Sequence, residues 1–232
     1  MSLLGSLGEV VRLPLHPRRT LSAIDRGRTL LDGVIVLGLS ILLSVVAAEV
    51  GAVAPYRPAR GLGVSFPFGP EADLQNAGIA FQGRFLYPLI VAILTILVWV
   101  VGGLFIHAFA TGLGGVGSFY DYLKLAAYVV ALWLLLLPLN LAAAILRLAG
   151  FDQARDAVGS VFVLLGLCLF AYEIVLAAVA VRVHYRVSAV RAVGAMSLTL
   201  TTAALIAGIL LILLLLLVAM FFAHGFGGPC CL

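Results

Sequence analysis

The stretch Gly112-Leu113-Gly114-Gly115-Val116-Gly117-Ser118-Phe119 has the spacing G-x-G-x-x-G and runs into a segment of helical pattern. That spacing can cradle a pyrophosphate, because glycines let backbone amides at a helix N-terminus approach an anion. The chemistry also needs a β-strand before the glycines and an acidic residue about 20 positions beyond them to hold a ribose. Here an apolar run of membrane-spanning length precedes Gly112, and another follows Ser118. The glycines therefore suit a tight reversal between two helices, with Ser118 capping the second helix and Asp121 three residues later completing the cap. No cofactor is expected.

A second set of chemical residues lies inside the apolar runs. Ionisable groups in a membrane are costly and mark function or structural pairing. Glu173 is the deepest, about eight residues or roughly 12 Å from the nearer end of its run, and must pair, protonate or meet water. His107, Lys124 and Arg182 are its expected partners, in a hydrogen bond that locks helices together. The alternative is a polar path through Glu173, His107 and Asn140, as in a small transporter, channel or lipid scramblase. Glu49 lies near the far end of the first run and is expected to pair at the interface with Arg57 or Arg84. Pro138 and Asn140 together predict a kink, since proline frees a backbone carbonyl. No nucleophile, base and orienter stand at recognisable spacing, so no enzyme is expected. The histidines His16, His107, His184 and His224 are too dispersed along the predicted topology to form one metal cluster.

The elements that must position these groups follow from composition. Of 232 residues, 64% are hydrophobic and 10% charged, against roughly 45–50% and 25% in soluble domains. The fold class expected is all-α: an integral membrane bundle of five transmembrane helices, over about 31–54, 85–109, 120–146, 158–181 and 192–222, with a short amphipathic N-terminal helix. The net charge of +4 reflects basic flanks rather than a nucleic-acid surface, and no nucleic-acid partner is expected. Nine of the 14 Lys and Arg residues fall on one side if the N-terminus is cytoplasmic, which predicts that orientation with the C-terminus outside.

Residues 1–30 read as a cytoplasmic amphipathic segment. Leu3, Leu4, Leu7, Val10 and Val11 recur at helical spacing, a second helix starts at Pro17, and Arg18, Arg19, Arg26 and Arg28 suit anionic headgroups. Residues 31–222 form the five-span domain, with an outer loop over 55–84 rich in proline and glycine. Residues 223–232 are a short outer tail containing Cys230 and Cys231, whose spacing matches neither a zinc site nor a prenylation box. Ser40, Ser44 and Ala48, and likewise Ala204 and Gly208, form small-residue stripes expected to pack within the bundle.

The run from Ile106-His107 through Gly114-Gly115-Val116-Gly117-Ser118-Phe119 to Leu125 and Tyr128 resembles the signature of the Yip family, the Ypt/Rab-interacting membrane proteins, in its prokaryotic form. Leu15-His16-Pro17-Arg18 and Val183-His184-Tyr185 agree with it. The resemblance implies a five-span membrane protein of a kind whose biochemical function is generally undefined, and the function expected of the chain is non-enzymatic, organising membrane lipid or recruiting partners through its cytoplasmic face. Eukaryotic members carry a longer cytoplasmic N-terminal region that this sequence does not show, so a Rab-GTPase partner is not expected. The face expected to act comprises Arg18, Arg19, Gly114, Gly115, Gly117, Ser118, Phe119, His184, Arg186 and Arg191. Membrane lipids, a membrane or cytoplasmic protein, or a second copy of the chain are the partners left open, in a cell-membrane protein.

Overall fold

The computed structural model describes residues 3–53 and 80–225. All the regular structure there is helical: α1 (Leu3–Arg12), α2 (Pro17–Gly27), α3 (Leu30–Val53), α4 (Ala80–Gly112), α5 (Phe119–Val130), α6 (Leu137–Leu148), α7 (Asp152–Tyr185) and α8 (Ala189–Gly225), with a 3₁₀ segment over Ala131–Leu136. Five stretches are long and apolar enough to cross a membrane: Leu30–Ala48, Pro88–Gly112, Phe119–Leu146, Gln153–Tyr185 and Ala189–Leu217. They match the five runs expected. Most of the expected outer loop, 55–79, and the end of the tail, 226–232, including Cys230 and Cys231, lie outside the described residues, as do the side chains of Glu49 and Arg84.

The third span is built in three pieces because of its proline. Pro138 has no amide hydrogen to give to the carbonyl one turn back, and its ring crowds that carbonyl. The chain answers by tightening to 3₁₀ geometry over Ala131–Leu136, immediately before it, and resumes as α6. Asn140 follows in α6, half-buried, with no side-chain hydrogen bond to another described residue.

The N-terminal segment packs into the bundle. It forms two helices, and their apolar stripe faces protein: Val10, Leu13, Leu21 and Ile24 share one core with Leu132 of the 3₁₀ segment and Leu176 of α7. Pro17 starts α2 at a position that needs no amide donor. The helix lies along α7, pinned at both ends. The Tyr172 hydroxyl donates to the Pro14 carbonyl (2.9 Å), and Asp25 meets His184 (2.9 Å).

The core is concentrated at one end of the bundle, which we term the basic end, where α1, α2 and the connections 113–118 and 186–188 lie. Beyond it α8 is exposed on all sides: from Ala203 to Leu217 every residue is outward. The Ala204 and Gly208 stripe therefore does not pack within the described bundle, unlike Ser40, which is buried in α3.

Candidate functional site

The glycine stretch turns the chain between α4 and α5 at the basic end. Gly114 takes φ 86, where a side chain would be strained. Its neighbours are glycine for a different reason, namely close approach. A Cβ on Gly115 would stand 2.7 Å from the Ala110 carbonyl oxygen and 2.8 Å from Tyr185 Cβ. One on Gly117 would stand 2.7 Å from His184 Nε2. The turn thus lies directly against the end of α7, and the Val116 amide donates to the Tyr185 carbonyl (3.1 Å), which α7 leaves without an intrahelical partner. Arg186 ends α7 in the left-handed region at φ 55.

Ser118 caps α5 as the spacing implied. Its Oγ accepts from the Asp121 amide (3.1 Å) and donates to Asp121 Oδ2 (2.6 Å). Phe119, the next residue, sets its ring edge against His107, with centroids 5.7 Å apart. His107 Nδ1 meets the Tyr185 hydroxyl at 2.8 Å.

His184 stands at the centre. Nε2 lies 2.9 Å from the Ser118 carbonyl oxygen and Nδ1 2.9 Å from Asp25 Oδ1. A carbonyl only accepts, so Nε2 carries a hydrogen. Nδ1 faces the Asp25 carboxylate, so the one ring ties α2 to the start of α5.

Lys124 completes the cluster. It is 2% exposed, and its Nζ donates to the carbonyls of Asp25 (2.9 Å) and Arg28 (3.0 Å) and to Asp121 Oδ1 (3.2 Å). The carbonyls at the C-terminal end of α2 lack intrahelical partners and carry the negative end of the helix dipole, so an ammonium from α5 satisfies both needs. Nearby, the Arg28 guanidinium grips Glu9 through two bonds (2.8 and 3.0 Å). Those bonds hold Arg28 above its ordinary pKa.

Glu173 does not join this cluster. The expectation that it meets His107, Lys124 or Arg182 is corrected: its Oε2 accepts from the Trp133 indole N–H at 3.0 Å. The indole is carried by the 3₁₀ segment, whose tightened geometry the sequence pattern did not define. Glu173, His107 and Asn140 are not joined by hydrogen bonds among the described residues. No group of three His, Cys, Asp or Glu side chains able to hold a metal ion occurs among the described residues.

The basic residues divide from the acidic ones. Arg12, Arg18, Arg19, Arg26, Arg182, Arg186 and Arg191 are all exposed and make no ion pair among the described residues. Every described carboxylate at this end is engaged internally: Glu9 with Arg28, Asp25 with His184, Asp32 with Thr29, and Asp121 with Ser118 and Lys124. Sequence reasoning named most of the turn residues, His184 and, within the family resemblance, Tyr185, and missed Asp25, Glu9 and the role of Lys124. The sole hint of that role was a lysine one turn beyond a capped aspartate, at the start of an apolar run.

Comparison with known proteins adds no relative: a scan against family models, a search of curated proteins and a search of solved structures each find no match.

Proposed function

We propose that the chain is a non-enzymatic multi-span membrane protein of Yip type that organises membrane lipid or recruits partners through its basic end. In this reading it sits in the cell membrane, with the basic end in the cytoplasm and the C-terminus outside. One observation carries the functional part: among the described residues, seven exposed arginines at that end stand without ion-pair partners while the carboxylates around them are consumed internally. Such a surface presents uncompensated positive charge to whatever adjoins it. The residues that carry the family resemblance converge in the fold. His107, the turn Gly114–Phe119 and His184-Tyr185, far apart in sequence, meet at one point.

The test is charge reversal on exposed positions that the fold does not use. Arg18, Arg19, Arg186 and Arg191 are replaced together by Glu, and the purified protein is compared with the wild type for thermal midpoint and for association with cytoplasmic-face partners crosslinked in native membranes. The expected result is an unchanged midpoint with association lost. Retained association in the reversed protein would remove the reading. Flux through proteoliposomes above that of empty vesicles, abolished by Glu173→Gln, would replace it with transport.

A further inference from the structure

Two bonds, one in the α1–α2 connection and one near the C-terminal end of α2, fix how deep the N-terminal hairpin sits. Asp25 is held at His184, one residue from the end of α7, and the Pro14 carbonyl is held by Tyr172, which lies 12 residues earlier on the same helix. Twelve residues are about 18 Å of helix, so the connection between α1 and α2 points along α7 toward the middle of the membrane. It does not lie flat beyond the helix ends.

The 34 residues of α7 make a helix of about 51 Å, against a hydrocarbon core of about 30 Å. Centred in the bilayer, α7 projects about 10 Å at each end. Arg18 stands seven residues before Asp25, hence about 10 Å inward of the His184 end, at the boundary between headgroups and acyl chains. The hairpin tip, at the level of Tyr172, lies about 8 Å deeper still.

The side chains at that level suit a lipid and not an aqueous partner. Leu15 at the tip is 72% exposed and Val11 beside it 59%. Arg12 precedes the tip and Arg18 and Arg19 follow it, all exposed. The buried stripe Thr20, Leu21 and Ile24 turns the two latter arginines away from protein. The carboxylates that could neutralise them, Glu9 and Asp25, are already bound to Arg28 and His184. Guanidinium groups at a lipid boundary without carboxylates require another anion, and phosphate suits their planar donor fork.

We propose that the tip of the α1–α2 hairpin binds anionic phospholipid of the adjoining leaflet, with Arg12, Arg18 and Arg19 on the headgroup phosphates and Leu15 and Val11 among the acyl chains. The proposal rests on the reading of the basic end as the working face, and names the lipid class it takes.

The experiment is lipid retention by the full chain, extracted from vesicles of equal parts phosphatidylglycerol and phosphatidylcholine and weighed intact by native mass spectrometry. The wild type retains phosphatidylglycerol over phosphatidylcholine by about tenfold, as expected for several basic residues near an anionic surface. The triple substitution R12Q, R18Q and R19Q brings the ratio near unity, while R12K, R18K and R19K keeps most of the preference. Because all three positions are exposed, the thermal midpoint stays unchanged. Substituting Arg182, Arg186 and Arg191 by Gln leaves the ratio as in the wild type. An unchanged ratio in the R12Q, R18Q and R19Q protein overturns the proposal, as does an equal loss from the second triple, and so does full displacement of the lipid by inorganic phosphate. If the ratio is unaffected yet charge reversal still abolishes partner crosslinking, the lipid site fails while the functional reading stands.

Discussion

The two ends of this bundle are held by different forces. At the basic end, side chains from α2, α4, α5 and α7 meet through directional bonds: Lys124 on two carbonyls and a carboxylate, His184 between Asp25 and Ser118, His107 on Tyr185. Along the far part of α8 no described side chain from Ala203 to Leu217 is buried, and much of α4 before Val101 is likewise outward. Lipid tails are as apolar as leucine, so burying leucine against leucine gives a membrane helix no net drive to associate. What fixes the helices relative to one another must then be polar bonds and close backbone approach. Both are concentrated at one end.

That contrast predicts an ordered series of effects. The largest belongs to Lys124. Replacing it with Met keeps the buried stem and removes the ammonium, leaving the carbonyls of Asp25 and Arg28 without their donor. The expected loss is about 2–4 kcal/mol, read as a lower thermal midpoint in detergent and faster amide exchange in α2. A midpoint equal to the wild type would mean that the cluster does not hold the hairpin.

Next come the turn glycines, where position decides the sign. Gly117→Ala drives a methyl group onto His184 Nε2, and Gly115→Ala drives one onto Ala110 and Tyr185; each is expected to cost about 1–3 kcal/mol. Gly112, in the same G-x-G-x-x-G pattern, has nothing within 4 Å of the place an added methyl would take and ends a helix, so Gly112→Ala is expected to be neutral or slightly stabilising. Equal damage at all three positions would point to a bound ligand that reads the glycines as a set, and would revive the phosphate cradle.

The same glycines show what the sequence could and could not convey. Run length and hydropathy made the five spans legible, because the bilayer sets their length. The cap at Ser118 was legible too, being a local pairing three residues apart. Long-range pairing was not. Asp25 and His184 are separated by 159 residues and the Pro14–Tyr172 bond by 158, and no periodicity announces either. The N-terminal helices illustrate the limit well. Their amphipathic pattern specifies an apolar stripe, but a stripe against lipid and a stripe against Leu176 read alike in sequence.

Glu173 tests whether a half-buried carboxylate outside the cluster is structural. With Trp133 as its hydrogen-bond donor, Glu173→Gln retains an acceptor and is expected to change stability by less than about 1 kcal/mol, whereas Glu173→Leu orphans the indole at a cost of about 1–2 kcal/mol. Thermal midpoints of the two variants give the comparison directly. A Gln variant as damaged as the Leu variant would show that the charge itself matters there, and would make a polar path the better account of that residue.

The smallest effect, at Leu211, gives the sharpest test of the contrast between the ends when set against Ala195. Ala195 is fully buried at the basic end and Leu211 is outward in the far part of α8. Ala195→Leu must overpack α8 against its neighbours, costing about 1–3 kcal/mol, while Leu211→Ala removes outward-facing surface and should fall within about 0.5 kcal/mol. The prediction holds only if lipid covers that stretch. A second copy of the chain seated on Ala204 and Gly208 would bury Leu211 on some face, and the truncation would then lower both the midpoint and the apparent mass in detergent. A midpoint that moves together with the mass would therefore transfer the far half of α8 from lipid-facing to interface. One that moves with neither leaves directional bonding at the basic end as the source of the fold's specificity.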